Sequence, residues 1–237
     1  MSSGSGGRAV AYSRVRRMWR RRLPAIYSDI SDLLGRREIF WELQEVAKHN
    51  PRITEHGAFF DWVCRNYIDA ATIGVRRLTD RHWRRSHSVW WLLKDMFDHP
   101  GIINRRAHAA LYRGVPRLRG HDIASTSFDG LVGEGAGVLS QSQIRRDIRA
   151  VERASTRVTR LVNKRIAHRT GRATLRRLPR FNELNRALDT VDGVLCRYRT
   201  LLTGDGPETA FATRQYNWME ALFEPWILSG SKFRPKS

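Results

Sequence analysis

Apolar residues recur at alternating steps of three and four along most of this chain, and that spacing restricts it to helices. Phe60, Val63, Tyr67, Ala71, Gly74 and Leu78 trace one face of a helix over about residues 56–79. Ser86 or Ser88 caps a following helix whose inward stripe is Val89, Leu92, Leu93, Met96 and Phe97, ended by His99-Pro100-Gly101. Ile144, Ile148, Val151, Val158, Leu161 and Val162 mark the inward side of a long helix over about 141–168. Phe181, Leu184, Leu188, Val191, Leu195, Tyr198 and Leu202 repeat the pattern, so these two helices are expected to pair antiparallel. No segment alternates polar and apolar residues as a half-buried strand does. The expected fold class is all-α, an antiparallel helical bundle.

The remaining segments are less regular. Ile26, Ile30, Leu33 and Leu34, then Phe40, Leu43 and Val46, fit two short helices divided near Gly35 and closed by Asn50-Pro51. Residues 1–23, Gly/Ser-rich and then basic, read as a flexible basic arm that an anion could order. Around 114–140, many Gly and Ser residues without a period read as an irregular loop insertion, and its GEGAG lacks the Lys-Ser/Thr of a phosphate loop. YNWMEALFEPWIL reads as a short amphipathic helix broken at Pro225, with Trp218, Leu222, Trp226 and Ile227 docking on the bundle. One domain is expected over 24–230.

Charge narrows the partners. Among 237 residues, 43 are Lys or Arg against 23 Asp or Glu, a formal net charge of +20. Only Lys48, Lys94, Lys164, Lys232 and Lys236 are lysines, so arginine carries nearly all of it. A GC-rich genome would explain that ratio but not the net charge. A self-repelling basic surface attracts a polyanion, and the planar multi-donor guanidinium suits phosphates and base edges, so RNA is the expected partner. Cys64 and Cys196 stand on apolar stretches of separate helices and read as small buried hydrophobes with no disulfide. His82, His87, His99, His108 and His121 show no metal-ligand spacing, so neither metal nor other cofactor is expected. No apolar run is long enough for a membrane span, and the start lacks the apolar core of a secretory signal. The expected location is the cytoplasm.

The chemistry concentrates at residues 162–169, where the Arg-rich helix gives way to a Gly-containing stretch. Lys164 and Arg165 stand one turn before His168, and such cations push a histidine's pKa down and leave it neutral as a base near pH 7. The same cations, with Arg153, Arg157, Arg160 and Arg169, would grip RNA phosphates. A base that removes the 2′-hydroxyl proton and a cation that stabilises the charged transition state suffice for RNA cleavage. His168 would equally suit a structural role, its charged form favoured at a helix C-terminus. Asp80 follows Arg76 by four residues and Arg77 by three, within ion-pair reach on one helix. Either that pair fixes the helix end, or Arg76 or Arg77 faces the 141–168 helix and lends it a cation. Trp83, Trp90 and Trp91 could stack bases or serve the core.

Several segments together resemble the AbiU2-like branch of the HEPN superfamily: IFWELQEVAKHNP, FFDWVCRNYIDAATIGVRRLTD, SVWWLLKDM, NKRIAHR and WMEALFEPWI. The resemblance covers most of residues 38–228 and implies a helical, commonly dimeric domain. Many such domains are metal-independent RNases of abortive-infection and toxin systems, which brings in an antitoxin as a further partner. Their signature is an Arg followed four to six positions later by a His, often with a polar residue directly after the Arg. Carried onto this chain, it makes His168, Asn163 and Arg165 the candidate catalytic group, but Val162 occupies the position of the Arg. Either Arg165, Arg160 or an arginine of another helix substitutes, or the fold persists without the nuclease chemistry. Three functions compete: an RNA-cleaving protein, a non-catalytic nucleic-acid-binding or regulatory module, and a purely structural interaction protein.

Overall fold

The computed structural model describes residues 4–55, 57–83, 86–113, 122–166, 179–206, 208–212 and 216–223, except the side chains of 4–10, 165 and 166. Helix α1 spans Gly4–His49, α2 Arg52–Glu55, α3 Ala58–Leu78 and α4 Val89–Asp98. Helix α5 (Arg105–Ala109) and a 3-10 turn (Ala110–Tyr112) lead to α6 (Ile123–Val132). Helix α7 (Gln141–Leu161) ends in a π-helical turn over Val162–Ile166, and α8 (Phe181–Thr203) and the short α9 (Glu220–Phe223) complete the order. Among the described residues there is no strand, only an isolated bridge between Asn104 and Val138. The fold is all-α.

Cross-helix contacts set the directions. Tyr198 and Arg197, late in α8, hold Asp147, early in α7, while Arg157, late in α7, pairs with Glu183, early in α8. The two are therefore antiparallel, as their periodicity predicts. Helix α1 runs antiparallel to α3, with Asp29 on Arg77 and Phe40 stacked on Tyr67, and to α8, with Arg20 bonded to the Leu202 carbonyl and Arg37 to Asp189. Helix α3 packs in turn on α7. The result is a ring of four long helices around one core, with α4 on the flank of α7 through Trp90–Glu152 and Gln141–Phe97 contacts.

Three stretches differ from the sequence expectation. The first is α1, where the structure shows one helix in place of a flexible arm followed by two short helices. Trp19, Leu23, Ile26, Ile30 and Leu33 form a buried stripe at steps of four and three past Pro24, with Leu34 beside it, and Phe40 is buried on the same face two turns after Leu33, past Gly35. A helical Gly costs about 1 kcal/mol and an interior Pro about 3, less than the burial of that stripe returns at roughly 2 kcal/mol per large side chain. The second is the 114–140 region, which holds α6, capped by Asp122 and anchored by buried Ala124 and Phe128. Residues 133–139 behind it are tied rather than loose: Gly135 donates to Asp129, Arg105 bonds both Asp129 and the Ala136 carbonyl, and the Leu139 N–H reaches the Ile103 carbonyl. The third is the C-terminal segment, where Trp218 docks through its indole N–H on Glu42 but Leu222 faces outward. Trp226 and Ile227 lie outside the described residues.

Ser88, rather than Ser86, caps α4 by accepting the Trp91 N–H. Both cysteines are free thiols, and burial pushes that of Cys196 up to about 12.

Candidate functional site

The end of α3 and the end of α7 meet, and the meeting point is polar. Helix α3 stops at Leu78, where Thr79 caps the last turn and the chain turns out through Asp80, Arg81 and His82. Opposite, α7 presents Glu152, Ser155, Thr156, Thr159 and Arg160, then Asn163 on the π-helical turn. Together these residues and Arg76 line a cleft of about 220 Å³. Arg76 Nε donates to Asn163 Oδ1 at 2.6 Å, joining residues 87 apart in sequence. A wider π turn at a helix end is a frequent companion of function, because it turns side chains away from the regular α register.

Burial explains the replacement at position 162. Val162 is only 3% exposed, so this register faces the core and would hold an arginine away from water, while Asn163 beside it is exposed. A cation reaches Asn163 from α3 instead. Arg77 is engaged elsewhere, with Asp29 at 2.7 Å, and the Asp80 carboxylate accepts the His82 backbone N–H at 3.1 Å. Among the described residues, then, Arg76 is partnered by Asn163 and Arg77 by Asp29, not by the Asp80 that their spacing offered.

The other sequence-predicted residues divide. Arg160 lines the cleft, Lys164 is exposed on the π turn, and Arg153 is exposed on α7. Arg157 points towards α8 and pairs with Glu183. His168 and Arg169 lie outside the described residues, as does the side chain of Arg165. Trp90 gives its indole N–H to Glu152 at 2.8 Å, and the Trp91 indole nitrogen is buried without a partner, so the two serve packing; Trp83 stands 68% exposed. Among the described residues, no three His, Cys, Asp or Glu side chains cluster as metal ligands would.

His82 belongs to this cleft and the sequence reading gave it no role. The cue was present: it follows Arg76 by six positions and Arg77 by five, inside the Arg-then-His interval of the HEPN signature.

A family model for AbiU2, HEPN_AbiU2, matches residues 19–220. The chain belongs to the HEPN_AbiU2 family. The match runs from Trp19 in α1 to the first residue of α9 and so includes both walls of the cleft. Neither the curated proteins nor the solved structures contain a significant match to the chain. No helix among the described residues is long and apolar enough to cross a membrane.

Proposed function

We propose that this HEPN_AbiU2 protein targets RNA in an abortive-infection or toxin-type setting, and that the α3–α7 cleft is where it does so. The observation that carries this reading is the Arg76–Asn163 hydrogen bond, which puts a guanidinium next to the polar residue of the family's motif segment. Arg76 supplies the charge that Val162 cannot, Arg160 and Lys164 hold flanking phosphates, and a histidine takes the 2′-hydroxyl proton. His168 and His82 are the two candidates for that base, Arg165 a further phosphate ligand. No metal is needed for this chemistry.

The experiment is cleavage of end-labelled RNA in the presence of a chelator by the wild type and by Arg76→Ala, Asn163→Ala, His82→Ala and His168→Ala. General-base removal lowers the rate by about 10²–10⁴-fold, so loss of cleavage with Arg76→Ala and with one histidine variant is the expected outcome. Cleavage that is absent in the wild type, or unchanged in every variant, refutes the catalytic reading. A second reading, a non-catalytic RNA-binding or regulatory module, is favoured by the buried Val162; it expects wild-type binding that weakens steeply with salt and no cleavage. A homodimer and an antitoxin are the proposed protein partners. Exposed Phe59 and Trp62, stacked with centroids 6.0 Å apart on α3, are an apolar face such a partner would cover.

A further inference from the structure

The first acidic residue of the chain is Asp29, and Arg8, Arg14, Arg16, Arg17, Arg20, Arg21 and Arg22 all precede it. In a helix Arg14, Arg16, Arg17, Arg20 and Arg21 have only one another as charged neighbours three and four residues away, an arrangement that destabilises it. Two arginines find partners in the bundle: Arg20 bonds the Leu202 carbonyl at 2.7 Å and Arg22 bonds Asp95 at 2.6 Å. The crowding shows on Arg16, whose pKa is held below its ordinary value, by burial first and then by the charge of Arg20. Arg14, Arg17 and Arg21 are exposed. Their spacing puts them within about 60° of one helix face, roughly 10 Å from first to last.

That face is not a convex surface. Arg14, Arg17, Arg21 and Arg22, with Val15, Met18 and His87, line a groove of about 540 Å³, and among the described residues that line it there is no carboxylate. The groove and the α3–α7 cleft border the same loop. Thr79–His82 line the cleft and His87 lines the groove, while Ser88 Oγ donates to the Asp80 carbonyl at 2.8 Å and holds the two ends of the loop together. Between them in sequence Trp83 stands exposed.

We infer that this groove is a second phosphate-binding track, which holds a single strand of RNA and leads it past Trp83 into the α3–α7 cleft. The inference rests on the proposed RNA-targeting role and adds to it an anchoring site on a different helix. A row of guanidinium groups combined with an exposed aromatic ring is how proteins hold single strands without reading sequence: the cations track the backbone and the ring stacks a base. The concave shape admits a strand, whereas a membrane surface would need the arginines on a convex face.

The test is fluorescence anisotropy of labelled oligouridylates, one of about 20 nucleotides and one of about 6, against the 4–16 that single-strand sites commonly cover. The full-length chain is compared with Arg14→Gln/Arg17→Gln/Arg21→Gln. Each lost single-strand phosphate contact lowers the slope of log affinity against log salt by about 0.7, so the triple variant is expected to lose about 2 from the slope with the longer probe and nothing with the shorter. Trp83→Ala weakens the longer probe about ten-fold with the slope unchanged. The corresponding Arg→Lys triple keeps the charge and restores the slope. All three arginines are exposed and repel one another, so the triple Gln variant is expected to melt no lower than the wild type while the salt slope falls. A wild-type slope and affinity in the triple variant overturns the inference, as does binding to phosphatidylserine vesicles that RNA does not displace. Arg76→Ala separates the two sites: if it changes neither cleavage nor short-probe binding while the triple variant weakens the longer probe, the cleft reading falls and the track stands.

Discussion

Replacing Gly74 by alanine should destabilise the protein, although the same change in an isolated helix stabilises it. The helix term is favourable by about 0.8–1.0 kcal/mol, since glycine is the weaker helix former. Against it stands the contact between α1 and α3. A Cβ on residue 74 would lie 2.5 Å from Leu33 Cδ2, 2.6 Å from Cδ1 and 3.1 Å from Cγ. Leu33 is only 4% exposed and packed in the core, so its branch has little room to swing aside. Overpacking of this kind costs about 1–3 kcal/mol, which leaves a net loss of about 1 kcal/mol and lowers the melting temperature by roughly 2–4 °C in a chain of this length. Urea denaturation followed by far-UV circular dichroism measures it. The sign reverses in a Leu33→Ala background: that substitution alone removes a buried leucine at about 2–5 kcal/mol, and Gly74→Ala added to it then gains both the helix term and part of the cavity. Gly74→Ala that stabilises the wild type, or the same change in both backgrounds, would refute the close approach of α1 and α3. The consequence extends to the cleft, because Gly74 is two residues before Arg76 and the spacing of these helices sets where that guanidinium stands.

Other substitutions probe the ties between elements. Asp147→Ala leaves the Tyr198 hydroxyl, fully buried, without its acceptor and should cost about 2–4 kcal/mol, whereas Tyr198→Phe, which leaves Arg197 on the carboxylate, should cost about 1 kcal/mol; equal melting temperatures for the two would contradict the shared carboxylate. His108 is buried against the Leu201 carbonyl and Ser127, and burial lowers its pKa from 6.5. Its neutral form is the folded one, so its contribution is complete above about pH 6.5 and shrinks as the pH falls towards the folded pKa, by at most about 1.4 kcal/mol per pH unit. Melting temperatures should therefore decline as the pH falls below about 6.5 in the wild type and less in His108→Gln; parallel declines would exclude His108 as the source. Asp192 accepts from Thr209 at 2.6 Å and from the Ala210 N–H at 2.7 Å. Asp192→Ala should accelerate limited proteolysis between residues 205 and 212 and leave α8 protected, and an unchanged cleavage pattern would argue against that anchor.

Where periodicity was regular and the apolar residues large, the sequence disclosed the element: α3, α4 and α8 lie close to the expected places, down to the Ser88 cap, and α7 starts where expected but leaves the α register at Leu161, before the expected end near 168. Helix α1 escaped because Pro24 and Gly35 are local breakers whose effect is outweighed by a partner that local reading does not include. Helix α6 escaped because only Ala124 and Phe128 are buried, too few to show a period. In the cleft, Asn163 and Arg160 were legible as members of one basic helix. The cation opposite was legible only as an alternative, since nothing local to Arg76 distinguishes pairing with Asp80, four residues away, from pairing with Asn163 across the bundle. Val162 stands where the signature has an arginine, and burial is the reason that position cannot use one, which the sequence does not display.

The placement of α1 has a consequence in time. Trp19 and its neighbours are covered in part by α8, and the bond from Arg20 to Leu202 spans 182 residues. Chains lengthen at about 5–20 residues per second, so α1 waits roughly 10–40 s for the end of α8 to be synthesised. Through that interval the most basic helix of the protein, with its apolar stripe uncovered, is exposed beside the ribosome and its transcript. Until α8 is made, α1 therefore carries its basic face and its uncovered apolar stripe side by side.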